Sequence, residues 1–105
     1  MQVQINTDRN IEGNEALASH AEAIVASALR RFVDQVTRVE IHLSDENGGK
    51  GGDDDKRCLM EVRLEGRRPT AVSYRAATVE AAMDGAAGKL ARAIESTLGR
   101  LRSAS

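Results

Sequence analysis

Polar and apolar positions alternate in four short stretches of this chain and recur at helical spacing in two longer ones. Residues 2–6 (QVQIN) alternate and put Val3 and Ile5 on one side, which predicts a strand. Residues 36–43 (VTRVEIHL) set Val39, Ile41 and Leu43 against Arg38, Glu40 and His42. Residues 57–66 (RCLMEVRLEG) set Cys58, Met60, Val62 and Leu64 against Leu59, Glu61, Arg63 and Glu65. Residues 71–76 (AVSYRA) oppose Val72 and Tyr74 to Ser73 and Arg75. Between the first two strands, Leu17, Ala21, Ile24, Val25, Ala28, Leu29 and Phe32 follow a helical stripe, with Asn14 as N-cap. That predicts one helix over about residues 15–33. Thr78 caps a last helix over about 79–102, with Val79, Met83, Ala86, Leu90, Ile94, Leu98 and Leu101 facing the core.

The order β-α-β-β-β-α, with one polar face on each strand, predicts an α+β two-layer sandwich. A four-stranded sheet would carry both helices on one face and leave the other wet. The 105 residues suit one domain, read as 1–102 with a short tail at 103–105. No apolar window approaches a membrane span, and the first residues lack the pattern of a signal peptide. One cysteine fits a reducing compartment, so a cytoplasmic protein is expected.

Residues 43–58 (LSDENGGKGGDDDKRC) raise a separate question. Five acids from Asp45 to Asp55 stand against Lys50 alone, so the rest of the chain is net basic although the whole carries −1. The run lacks the ligand spacing and closing glutamate of a calcium loop. Its glycines and like charges predict a solvated hairpin connection between the second and third strands. His20 and His42 have no ligand spacing, and no nucleophile–base or phosphate-loop arrangement is present. A non-enzyme without cofactor, metal or small-molecule substrate is expected. Cys58 has the parity of a small core residue.

Charge and small residues meet on the last helix. Gly85, Gly88, Lys89, Arg92, Ser96, Gly99 and Arg100 fall roughly opposite its apolar stripe. Such a face admits a close backbone, and its cations suit phosphates; it also fits an ordinary solvated face. Phe32 and Tyr74 are the only aromatics, and both are expected to be buried. Any RNA contact would then use backbone and shape, without a stacking platform.

The segment AAMDGAAGKLARAIE, with its D-G-x-x-x-K-L-x-R spacing, resembles the second helix of the short hibernation-promoting factors and ribosome-associated inhibitors of bacteria. This is the sigma-54 modulation protein, or ribosomal S30AE, family. NIEGNEALASHAEAIVASALRRF resembles its first helix, and the likeness spans nearly the whole chain. The resemblance implies a fold similar to a double-stranded RNA-binding domain. It also implies binding of small-subunit rRNA where mRNA and tRNA would sit, and translational silencing in stationary phase and stress. It carries the rRNA-binding role to Lys89 and Arg92, and with them to Arg100, Arg102 and Arg75. The chain departs from the pattern in having Glu80 where an aromatic usually follows the helix cap, a thin basic tail, and a longer acidic loop. It ends before the extra domain of long members. The alternative is a non-ribosomal regulatory or protein-interaction module on the same fold, with weakened RNA binding. The sequence leaves self-association open.

Overall fold

The structure, a computed structural model, describes residues 1–46 and 55–104, with side chains described up to residue 99. The elements run β1 (Gln2–Thr7), α1 (Glu15–Ala28), a 3-10 turn (Arg30–Phe32), β2 (Val36–Asp45), β3 (Lys56–Leu64), β4 (Thr70–Ala76) and α2 (Val79–Ala104). One sheet holds the strands in the order β1-β2-β3-β4. β1 lies parallel to β2, the pair being joined through α1, and the other two pairings are antiparallel. This is the expected α+β sandwich, with both helices on one face.

The alternation places the core. Val39, Ile41 and Leu43 of β2 and Cys58, Met60, Val62 and Leu64 of β3 are buried under the helices. Val3 and Ile5 also face inward but are only partly buried, because β1 is an edge strand. α2 buries Met83, Ala86, Leu90 and Ile94 as predicted, and also Ala82 and Ala87. The two extra alanines widen the apolar stripe because α2 meets α1 as well as the sheet.

Both helix starts are capped as predicted. The Leu17 amide donates to Asn14 Oδ1 at 2.8 Å, and the Ala81 amide to Thr78 Oγ1 at 3.0 Å. These side chains satisfy amides that the first helical turn leaves without partners. The end of α1 differs from expectation. The α-helix stops at Ala28, and the apolar stripe continues in the tighter turn at Arg30–Phe32. Leu29 and Phe32 are three residues apart, the spacing that a 3-10 turn brings onto one side, so both stay buried.

The acidic run is not solvated along its whole length. Its end residues Asp45 and Asp55 are buried, and Lys56 Nζ lies 3.4 Å from Asp45 Oδ2 and 2.8 Å from Asp55 Oδ1. The Glu46 amide donates to the Asp55 carbonyl at 2.9 Å. The ladder therefore continues beyond the predicted strand ends and closes there. The expected solvated connection is left to residues 47–54, which lie outside the described residues.

Candidate nucleic-acid interface

α2 carries the residues singled out above, and its neighbours decide which way each one points. The helix starts immediately after β4 and packs back over that edge strand and over β3. Residues at i and i+4 share a face, so Gly85 and Lys89 look toward β4. The Lys89 ammonium reaches across and donates to the Ser73 carbonyl at 2.9 Å. Ser73 belongs to the outermost strand, so this carbonyl lies at the free edge of the sheet. Gly88 and Arg92 share the next face. Gly88 helps line a groove of ≈380 Å³ between α1 and α2. A Cβ built on Gly88 would come within 3.5 Å of Arg92 Nη1, so the guanidinium folds back along its own helix.

Lys89 and Arg92 are thus brought together on one exposed ridge, one leaning toward β4 and the other toward α1. Among the described residues neither makes an ion pair. Glu95, the acid nearest to Arg92 in sequence, is held by Arg31 at 2.7 Å.

Arg75 is placed differently. It pairs in register with Arg57 on the open face of the sheet. Its Nη2 lies 3.0 Å from Glu46 Oε1, and Arg57 Nε lies 3.9 Å from the same oxygen. Glu46 therefore offsets two like charges that would otherwise repel directly across the strands. With Lys56 between Asp45 and Asp55, all the acids of the run among the described residues, Asp45, Glu46 and Asp55, are ion-paired to strand cations. Arg100 and Arg102 lie on the final turns of α2, and their side chains are outside the described residues.

The rest of the open face is charge-balanced. Arg38 faces Arg63 across the β2–β3 ladder, and Glu40 faces Glu61 one step along. These four line a depression of ≈240 Å³. Arg38 bridges to Glu40 at 2.7 Å and also donates to Gln4. In this part of the face a row of two cations is offset by an adjacent row of two acids. On the ridge of α2, Lys89 and Arg92 have no acid in contact among the described residues.

Tyr74 corrects the expectation that both aromatics are buried. Phe32 is buried, with the Arg31 guanidinium over its ring at 4.9 Å. Tyr74 has the inward parity, opposite Cys58, yet it is 42% exposed. The cause is its place on the edge strand, where the helix residue above it is Gly85. A Cβ at Gly85 would lie 2.2, 2.4 and 2.6 Å from Cδ2, Cε2 and Cγ of the ring. Gly85, expected on the outer stripe, is covered by this ring, and it offers no side chain to cover the ring in return. The pattern of alternation could reveal the face of Tyr74 but not this contact.

The family described as sigma 54 modulation protein / S30EA ribosomal protein matches residues 4–102. Among solved structures, the Protein Y N-terminal domain of Thermus thermophilus is 25% identical with a TM-score of 0.74. That match covers 92% of this chain and 99% of the domain. A ribosomal subunit interface protein from Coxiella burnetii superposes with the same TM-score, 0.74, at 16% identity, over 94% of this chain and 99% of its own. The second likeness concerns the fold alone. No curated protein matches the chain. With nearly every residue inside the family match and the fold of its solved neighbours reproduced, this chain belongs to the sigma 54 modulation protein / S30EA ribosomal protein family.

Proposed function

We propose that this protein is a ribosome-associated hibernation factor that binds small-subunit rRNA in the mRNA and tRNA channel. Family membership supports the ribosome association and a cytoplasmic, non-enzymatic role. The observation that carries the RNA contact is the contrast between the two surfaces. Lys89 and Arg92 are exposed side by side on α2 without acidic partners among the described residues, whereas on the open sheet face Arg38, Arg57 and Arg75 are each engaged by a glutamate and Arg63 alone is unpaired among the described residues. Phosphates release counterions when cations of the first kind approach them. Cations already paired have less to gain. The ridge of α2 is therefore the side that faces RNA, and the family resemblance adds Arg100 and Arg102, further along the same helix, to its rRNA-binding residues. Arg75 contributes only if Glu46 gives it up. Occupying the channel by backbone contacts blocks translation without any covalent step.

The test is co-sedimentation with purified small subunits. The wild type should pellet with them, and Lys89→Glu with Arg92→Glu should abolish pelleting while the circular dichroism spectrum is kept. Arg38→Glu with Arg63→Glu should have the smaller effect. A helix double variant that still pellets would refute the assignment of the ridge.

One observation favours a second reading, a regulatory or protein-interaction module. The rows Arg38/Arg63 and Glu40/Glu61 suit a partner of mixed charge better than a polyanion. In that case the sheet-face variants, and not the helix variants, should disrupt the complex.

A further inference from the structure

We infer that the exposed face of Tyr74 is a stacking platform for an unpaired nucleobase, set beside the phosphate-binding ridge of α2. The inference rests on the RNA-binding reading above and deepens it. The ring geometry comes first. Three adjacent ring atoms lie 2.2, 2.4 and 2.6 Å from the position of a Gly85 Cβ. A point beside the rim, in the ring plane, would be clearly closer to one atom than to its two neighbours. Nearly equal distances put the point above the ring, so one face of Tyr74 lies flat on the Gly85 backbone. The residue is nevertheless 42% exposed. With the Gly85 side of the ring covered, that exposure falls on the rest of the residue.

A base needs such a surface: an aromatic plane backed by rigid structure and open on its other side. The backing here is a helix of 26 residues, so little ordering is left for binding to impose. The second requirement is a cation within reach of the same nucleotide. Lys89 lies one helical turn beyond Gly85 on the same face, and its ammonium sits on the carbonyl of Ser73, the residue preceding Tyr74. Base and phosphate of one nucleotide would thus meet Tyr74 and Lys89 together. Every base has an aromatic face, so the contact adds affinity with little sequence preference.

The alternative is that Tyr74 only covers a glycine at a sheet edge. That role predicts a change in stability with no change in RNA affinity. The experiment is equilibrium binding of the full chain to purified small subunits, at several salt concentrations. Tyr74→Phe keeps the ring and should bind within about twofold of wild type. Tyr74→Leu should bind about tenfold more weakly, the order of one lost base–aromatic stack. Its log–log salt slope should equal that of the wild type, since stacking releases no counterions. Lys89→Glu should lower that slope, which separates the two contacts. Tyr74→Leu binding within twofold of wild type overturns the platform and leaves the ridge intact. Tyr74→Phe as weak as Tyr74→Leu overturns it in favour of a hydroxyl hydrogen bond. A wild type that does not bind removes the RNA reading and the platform with it. Should Tyr74→Leu fail to fold, Gly85→Ala replaces it. That change displaces the ring from below while leaving a good helix former, and undiminished binding would overturn the platform equally.

Discussion

Lys89 of α2 donates its ammonium to the carbonyl of Ser73 on the free edge of β4, at 2.9 Å. The bond is exposed, so water can replace either partner. Lys89→Met should therefore change the melting temperature little, since an exposed hydrogen bond contributes about 1 kcal/mol or less. The same substitution should reduce the log–log salt slope of small-subunit binding by roughly one unit. Thermal melts and salt titrations on one preparation check both expectations. A large loss of stability would make Lys89 a structural clamp and not a ligand for phosphate.

The helical glycines should separate into two kinds. A Cβ added at Gly99 would meet nothing within 4 Å, and one added at Gly88 would meet only Arg92 Nη1 at 3.5 Å. Alanine at either site should stabilise the protein by about 0.5–1 kcal/mol, the usual difference between the two residues in a helix. Gly85→Ala should lose that gain, because the Tyr74 ring must swing away from contacts of 2.2–2.6 Å. Urea titrations of the three variants give the comparison. Equal stabilisation at all three would show that the Tyr74 ring moves at no cost.

Alkaline pH should reveal the buried thiol. Burial pushes Cys58 from an ordinary value near 9 up to about 12. Above pH 9 the unfolded chain loses this proton while the folded chain keeps it. Stability therefore falls as pH rises, by about 1.4 kcal/mol per unit between pH 9 and 12. Lys56 is raised from 10.5, first by its hydrogen bond to Asp55, so its contribution is complete below that value and lost above it. Between pH 9 and 10 the slope then belongs to Cys58. Chemical denaturation in this range should show it in the wild type, and Cys58→Ala should flatten it. An unchanged slope would mean that the thiol ionises in the folded state.

Two ion pairs should behave in opposite ways. Arg31 and Glu95 form a short pair, but their side chains are 64% and 56% exposed, and such pairs contribute little. Arg31→Met should leave the melting temperature almost unchanged. Lys56→Met would take the shared cation from Asp45 and Asp55, both buried. The melting temperature should fall clearly in that variant, because a buried carboxylate that loses its cation is costly. Equal effects in a calorimetric comparison would contradict this contrast.

Much of the fold was legible because each face has a period. Alternation placed Val39, Ile41, Met60 and Val62, and the caps Asn14 and Thr78 marked where each helix begins. The end of α1 was less legible, since Leu29 and Phe32 fit a helical stripe and a 3-10 turn equally well. Tyr74 shows a further limit. Parity assigns a side chain to a face, but an edge strand is covered only by what the next layer supplies, and here that is Gly85. The candidate site was legible at Lys89 and Arg92, whose spacing on one helix is local. It was not legible at Arg75, whose neighbours Arg57 and Glu46 come from other strands.

The closed base of the β2–β3 hairpin separates the history of the loop from the history of the fold. Glu46 and Asp55 complete the ladder, and Lys56 ties both of its ends, before residues 47–54 begin. Substitutions and changes of length between those ends need not disturb any strand register. The same seam can accept a peptide tag or a reporter dye, so the protein could be followed without altering its helical ridge.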